Sequence, residues 1–239
     1  MAAELVYDYL VSPVFFHGAL MTLLITVTAL IFGMVAGLVI ALLQGSRWAP
    51  VRMAALGYLW LFRGTPVLFQ IIFIYNVLPG FGIRLSAFVS AVIALSLNEG
   101  AYMAEIVRSG LSAVKKGQRT AGLALGLSRA GVMRHIVLPQ ALRIILPPVG
   151  NQMIGMLKTS ALVSVVAVQE LLLVANQTAA SNFRYFEALT AAGIYYLALT
   201  TLFMVGQAWL ERALDPKRRR QSKSRRPLIE RLIPSAEAR

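Results

Sequence analysis

Long apolar runs alternate with short polar breaks along this chain, and the runs are of membrane-crossing length. Ala19 to Leu43 carries no charged residue. At ~1.5 Å per residue it can cross a ~30 Å hydrocarbon core with some tilt, which predicts a first spanning helix. Gly33 and Gly37 stand four apart within it, a spacing that lets another helix approach closely. A second apolar segment, Met53 to Pro79, is broken by Arg63-Gly64-Thr65-Pro66. Glycine and proline so close together predict a bent or unwound helix whose freed backbone groups need partners in protein or water. Leu85 to about Val107 predicts a third helix containing Asn98, Glu99 and Glu105 and ending at Arg108. Ala141 to about Gln177 predicts an irregular fourth span, with Pro147-Pro148, Lys158-Thr159-Ser160 and Gln169-Glu170 along it. Ala188 to Leu210 predicts a fifth, uncharged, with Trp209 where an indole suits the interface.

Between the third and fourth runs lies a polar, small-residue-rich segment, Gly117 to Pro139. Two apolar patches recur in it at helical spacing, Ala121, Ala124 and Leu125, then Val132, Ile136 and Val137. Gly126 separates them and Ser128 is a ready N-cap, so the segment reads as helix, turn, helix. Proline lacks a backbone donor and disfavours helix in the preceding residue, so the second helix is expected to stop at Leu138-Pro139. Two structures fit this spacing, a compact knob standing off the membrane or an ordinary amphipathic loop.

Composition agrees with a membrane protein: 58 % of residues are hydrophobic and 14 % charged. The balance of 23 Lys+Arg against 10 Asp+Glu follows the positive-inside rule and not a nucleic-acid surface, since no aromatic-and-basic stripe is present. With the amino terminus outside and five spans, 19 basic residues fall on the cytoplasmic side and Arg84 and Arg184 outside. The carboxy terminus and Gly117 to Pro139 are then expected in the cytoplasm. The absence of cysteine excludes disulfides and thiol metal sites. His17 and His135 belong to no ligand-spaced cluster, and no metal site is expected. No Gly-x-x-x-x-Gly-Lys-Ser/Thr phosphate loop is present, so no ATP binding by this chain is expected. Residues 1–18 lack the basic start and cleavage site of a signal peptide and read as a retained, non-cytoplasmic lead-in. Asn176 to Glu187 reads as a polar outer loop. Residues 19–210 are expected to form one membrane-spanning domain, with the loop at 109–144, and 211–239 a basic cytoplasmic tail suited to anionic lipid.

The triplet Thr120-Ala121-Gly122, then Gly126, then Ile136, Leu138 and Pro139 resembles the "EAA" coupling loop of ABC importer permease subunits. Thr120 stands where a glutamate is usual and Gly122 where the second alanine is. Three further stretches resemble the polar-amino-acid branch of that family: Arg63-Gly64-Thr65-Pro66 with Gln70, Asn98-Glu99-Gly100-Ala101-Tyr102 through Glu105 and Arg108, and Lys158-Thr159-Ser160 through Glu170. The resemblance covers about residues 15–210. It implies an all-α, polytopic fold of the type I importer kind, with five transmembrane helices and a cytoplasmic helix-turn-helix coupling loop in a bacterial inner membrane. It also implies a pair of cytoplasmic ATPases holding the ATP, a second copy or paralogue of the permease, and an external binding protein delivering a polar amino acid.

On this resemblance Gly117, Gln118, Thr120, Ala121, Gly122, Gly126, Ile136, Leu138 and Pro139 are the expected contacts with the ATPase. Polar residues inside spans are functional candidates by default, here Arg63, Gln70, Asn98, Glu99, Lys158, Thr159, Ser160 and Glu170. Alternatives stay open for several. Arg63 lines a pathway or snorkels to the headgroups. Glu99 serves pathway or structure. Lys158 and Glu170 contact substrate or neutralise each other or neighbours. Glu105 and Arg108, three residues apart, can pair and anchor the start of the loop. A competing function uses Glu99 and Glu105 as the acid and base of a membrane-embedded enzyme, or as the site of an ion-coupled carrier.

Overall fold

The computed structural model describes residues 2–214, and every regular element among them is helical, with no strand. A short helix α1 (Ala2–Leu10) precedes the long α2 (Pro13–Gln44). The first span therefore begins six residues before the apolar run does. Ser12 accepts from the Val14 N–H at 3.3 Å and Pro13 opens the first turn, which starts the helix through the polar His17 and Gly18. The lead-in is not a detached segment. Tyr9 stacks on Phe15 at 5.3 Å, and the Tyr195 hydroxyl donates to the Leu10 carbonyl at 2.7 Å.

The second apolar segment splits as expected into α3 (Ala49–Gly64) and α4 (Val67–Asn76), which meet at 102° across Thr65-Pro66. Next comes α5 (Ala87–Ala113), capped by Ser86 and six residues longer at its end than the apolar run. A helical hairpin follows, α6 (Lys116–Ala124) and α7 (Arg129–Val132). The expected stop at Pro139 is absent. One wide π-type turn (Met133–Val137) leads directly into α8 (Leu138–Thr159), with Pro139 in its first turn. A widened turn tolerates the missing donor, and the Gln140 side chain donates to the Ile136 carbonyl at 2.8 Å.

Beyond α8 the chain tightens into a 3₁₀ stretch (Ser160–Val166), turns at Ala167 with φ 60°, and enters α9 (Leu171–Asn182) at a 51° bend. Helix α9 carries on through Asn176-Gln177-Thr178, so the polar outer loop shrinks to Phe183 and Arg184 before α10 (Tyr185–Leu214). Polarity misled here because those side chains lie along a helix end that needs no apolar partner. Three helices are long and apolar enough to cross a membrane, and five spans result if each bent pair counts as one. The expected basic tail beyond Leu214 lies outside the described residues.

The pair α2 and α5 forms the axis of the bundle, and the expected glycine spacing explains how closely they pack. A Cβ on Gly33 would stand 2.8 Å from Glu99 Cβ, and one on Gly100 would stand 2.9 Å from Ala36 Cβ. Around this contact Ile25, Ile71, Leu95, Met103 and Val163 from α2, α4, α5 and the 3₁₀ stretch make one core. A second core joins α2, α9 and α10 through Phe15, Leu171, Ala188 and Ala192. Val114, Val132, Val137, Ala141 and Ile145 make a third, which seats the hairpin on the bundle.

Candidate functional site: a helical hairpin on a long lever

The turn between α6 and α7 is closed by its own backbone. The Leu127 N–H reaches the Gly122 carbonyl at 3.1 Å and the Gly126 N–H reaches Leu123 at 3.0 Å, the paired bonds of a Schellman cap. Gly126 takes φ +84°, the left-handed conformation open to glycine at little cost. Ser128 then caps α7 by accepting from the Gly131 N–H at 3.1 Å.

Gly122 is the one residue of α6 that is buried. Ile136 Cδ1 would stand 2.5 Å from a Cβ there, so the absence of a side chain lets α6 lie against the π turn. The patch Val132, Ile136 and Val137 therefore faces inward. The patch Ala121, Ala124 and Leu125 faces out, and Leu125 at the turn is 85 % exposed. Thr120 is exposed and its hydroxyl donates to the Lys116 carbonyl at 3.2 Å. Gly117 is exposed with open space where a Cβ would go, and Leu138 and Pro139 are exposed at the start of α8. Gln118 accepts from the Gln140 amide, tying α6 to α8. Sequence reasoning missed Gln140, and also Arg119, whose Nη2 donates to the Leu111 carbonyl at 2.6 Å.

The polar groups within the spans separate into distinct places. At the α3–α4 bend, Gln70 Nε2 donates to the Phe62 carbonyl at 3.0 Å and to Thr65 O and Oγ1 at 3.1 and 2.9 Å. Asn98 Nδ2 reaches the same Phe62 carbonyl at 3.0 Å and Gln70 Oε1 at 3.2 Å. These side chains supply the partners that the broken helix requires. Arg63 extends to Glu105 at 3.4 Å and lies 5.8 Å from the centre of the Tyr102 ring. Glu105 also meets Arg108, at 3.8 Å.

Glu170 is fully buried and caps α9, with the Leu172 and Leu173 N–H groups at 2.9 and 2.7 Å and the Tyr196 hydroxyl at 2.9 Å. Lys158 is exposed, and among the described residues no ion pair joins it to Glu170. Thr159 and Ser160 donate to carbonyls of their own helix, Gly155 at 3.0 Å and Leu157 at 2.8 Å. Glu99 is 4 % exposed, with Gln152 Nε2 at 3.2 Å from one carboxylate oxygen. Gln152 and Tyr196 escaped sequence reasoning because their partners lie on distant parts of the chain, Glu99 on α5 and Glu170 at the start of α9. Glu99 and Glu105 hold different partners and share none. No group of three or more His, Cys, Asp or Glu able to hold a metal occurs among the described residues.

The family model for the binding-protein-dependent transport system inner membrane component matches residues 29–216. The chain belongs to that family. It is 41 % identical over 209 residues to a glutamine transport system permease protein of Escherichia coli, covering 84 % of this chain and 93 % of the relative. It is 38 % identical over 204 residues to an arginine transport system permease protein of Bacillus subtilis, again covering 84 % and 93 %. A solved structure described as an amino acid ABC transporter with histidines superposes with a TM-score of 0.80 at 40 % identity, over 84 % of this chain and 94 % of that one. An inward-facing methionine ABC transporter shares the fold at TM-score 0.72 and 19 % identity. The protein is thus a multi-pass inner-membrane permease of the ABC importer type. The competing enzyme or ion-carrier reading gains no support from any of these relatives.

Proposed function

We propose that this chain is the membrane-spanning subunit of an importer for a polar amino acid, driven by separate cytoplasmic ATPases that dock on the α6–α7 hairpin. The observation that carries this is mechanical. From Arg129 the chain is helical without a stop to Thr159, a rod of roughly 45 Å at ~1.5 Å per residue. The hairpin sits at one end and the helix-to-3₁₀ switch with Lys158, Thr159 and Ser160 at the other. Closure of the ATPases on Leu125 and its neighbours would swing the rod and re-pack the switch, opening the pathway to alternate sides. ATP is held by the partner ATPases and this chain supplies no cofactor site.

The orientation that fits has the amino terminus outside and the hairpin in the cytoplasm, as the distribution of basic residues favours. A second copy or paralogue would cover part of the exposed apolar surface, and an external binding protein would deliver the substrate. Glutamine and arginine, the substrates named for the two relatives, are both polar amino acids, which supports that class here. Among the pathway candidates, Glu99 with Gln152, and Lys158 with the acceptor side of the Thr159 hydroxyl, keep groups that local structure does not use up. Gln70, Asn98 and Glu170 are assigned to holding the bends, and Arg63, Glu105 and Arg108 to bracing the start of the hairpin.

The test is gentle purification of the full chain from its native membrane beside a variant with residues 117–139 scrambled. An ATPase is expected with the first and not with the second, and external addition of the binding protein with candidate amino acids should stimulate hydrolysis. Absence of any ATPase from both preparations would overturn the docking assignment.

A further inference from the structure

A pocket of about 380 Å³ opens where the ends of α2 and α5 meet the hairpin, and three cations line it, Arg108, Lys116 and Arg119. No acidic side chain does. Glu105 approaches Arg108 at 3.8 Å and leaves that side chain 59 % exposed. Lys116 and Arg119 have no acidic partner among the described residues.

Two polar side chains of the same wall are held within it. Gln44, also in its wall, has both amide atoms shut off from solvent without a hydrogen bond, and so has Arg119 Nε. The guanidinium of Arg119 is fixed by its bond to the Leu111 carbonyl at 2.6 Å, so the free Nε is held in place. These atoms are closed off from the open volume of the pocket, so the three cations and not these groups present polar character to it.

Position and remaining walls narrow the ligand. Gln44 ends one apolar helix of spanning length and Arg108 lies near the end of another, so the pocket sits where hydrocarbon gives way to headgroups. Leu111, Val114 and Met133 make part of its wall apolar. Arginine forks and a lysine point charge suit a phosphate, and the apolar wall suits glycerol and the first carbons of a chain.

We propose that this pocket binds the phosphodiester headgroup of an anionic membrane lipid, which ties the base of the hairpin to the bilayer surface. The proposal rests on the pocket alone and holds whichever side of the membrane that end faces. Free phosphate shares the recognised group but lacks the carbon part.

The full-length chain in nanodiscs of phosphatidylcholine with or without phosphatidylglycerol tests it, read by native mass spectrometry of retained lipid. The natural chain should retain phosphatidylglycerol preferentially. Lys116→Gln should weaken that retention about fivefold, the factor equivalent to roughly 1 kcal/mol per basic residue at an anionic surface, and Lys116→Arg should restore it. Thermal unfolding without anionic lipid, unchanged in both variants, separates the effect from misfolding. Equal retention of the two lipids by the natural chain, or retention indifferent to Lys116→Gln, overturns the site. If inorganic phosphate alone raises the unfolding temperature as much as phosphatidylglycerol does, the ligand is a free anion and the lipid assignment is overturned.

Discussion

Ile136 Cδ1 occupies the space in which any larger residue at position 122 would place its side chain, 2.5 Å from a Cβ built on Gly122, with Val132 Cγ2 at 3.0 Å. Shape at this one contact decides whether α6 can lie on the π turn. A terminal methyl can yield a little, so Gly122→Ala should be tolerated in part. Gly122→Val should splay the hairpin, at an overpacking cost of ~1–3 kcal/mol. Measured as ATPase retained on purification, Gly122→Val should lose most of its partner. Ile136→Val in the Gly122→Ala background should recover some, a non-additive result expected of touching residues. Strict additivity would mean that the two residues do not share this contact.

At the turn itself the constraint is conformational, since a Cβ on Gly126 would meet nothing within 4 Å. The φ of +84° is what disfavours most other residues. Gly126→Val should cost ~1–3 kcal/mol in backbone strain and should uncouple hydrolysis from transport while the chain still inserts. Gly126→Asn, which tolerates the left-handed region, should keep most coupling. The measurement is uptake per ATP hydrolysed in proteoliposomes. Unimpaired uptake by Gly126→Val would sink the assignment of the hairpin as the coupling element.

Local signals made much of this legible. The Ser128 cap, the Gly126 turn and the break at Thr65-Pro66 each depend on residues within a few positions, and all are where the sequence places them. The apolar runs coincide with the three long helices and the two bent pairs that could cross a membrane, because a bilayer allows few alternatives to helices of that length. Helix ends were less readable. Ser12-Pro13 starts α2 ahead of its apolar run, and Pro139 is absorbed by the π turn instead of ending a helix. Long-range partners were invisible: the Glu99–Gln152, Gln70–Asn98 and Arg63–Glu105 contacts join residues 53, 28 and 42 positions apart, and no spacing rule connects them.

Gln70 and Asn98 separate two roles for a polar residue in a span. Gln70 is 6 % exposed and its donors go to the carbonyls freed by the α3–α4 break. Gln70→Ala should leave Phe62 O and Thr65 O with fewer partners and should cost ~1–3 kcal/mol. The expected readout is a lower unfolding temperature of the detergent-solubilised chain and less of it in the membrane, with an unchanged substrate concentration for half-maximal uptake. A shifted substrate preference at unchanged stability would place Gln70 in the pathway instead.

Glu170 poses the same question with a charge, and here the geometry permits a stronger test. Its two oxygens take the Leu172 and Leu173 N–H groups and the Tyr196 hydroxyl, so one side chain caps α9 and also joins it to α10. Glu170→Ala removes the cap and strands the half-buried Tyr196 donor, a combined loss of about 2–4 kcal/mol. Glu170→Gln keeps an acceptor oxygen and should lose less. Tyr196→Phe removes the donor that Glu170→Ala strands, so the double variant should be less destabilised than the sum of the two single ones. Unfolding temperatures of the four chains in detergent close this cycle. Retained stability in Glu170→Ala together with altered amino-acid preference would show that the carboxylate faces substrate, and that the cap is secondary.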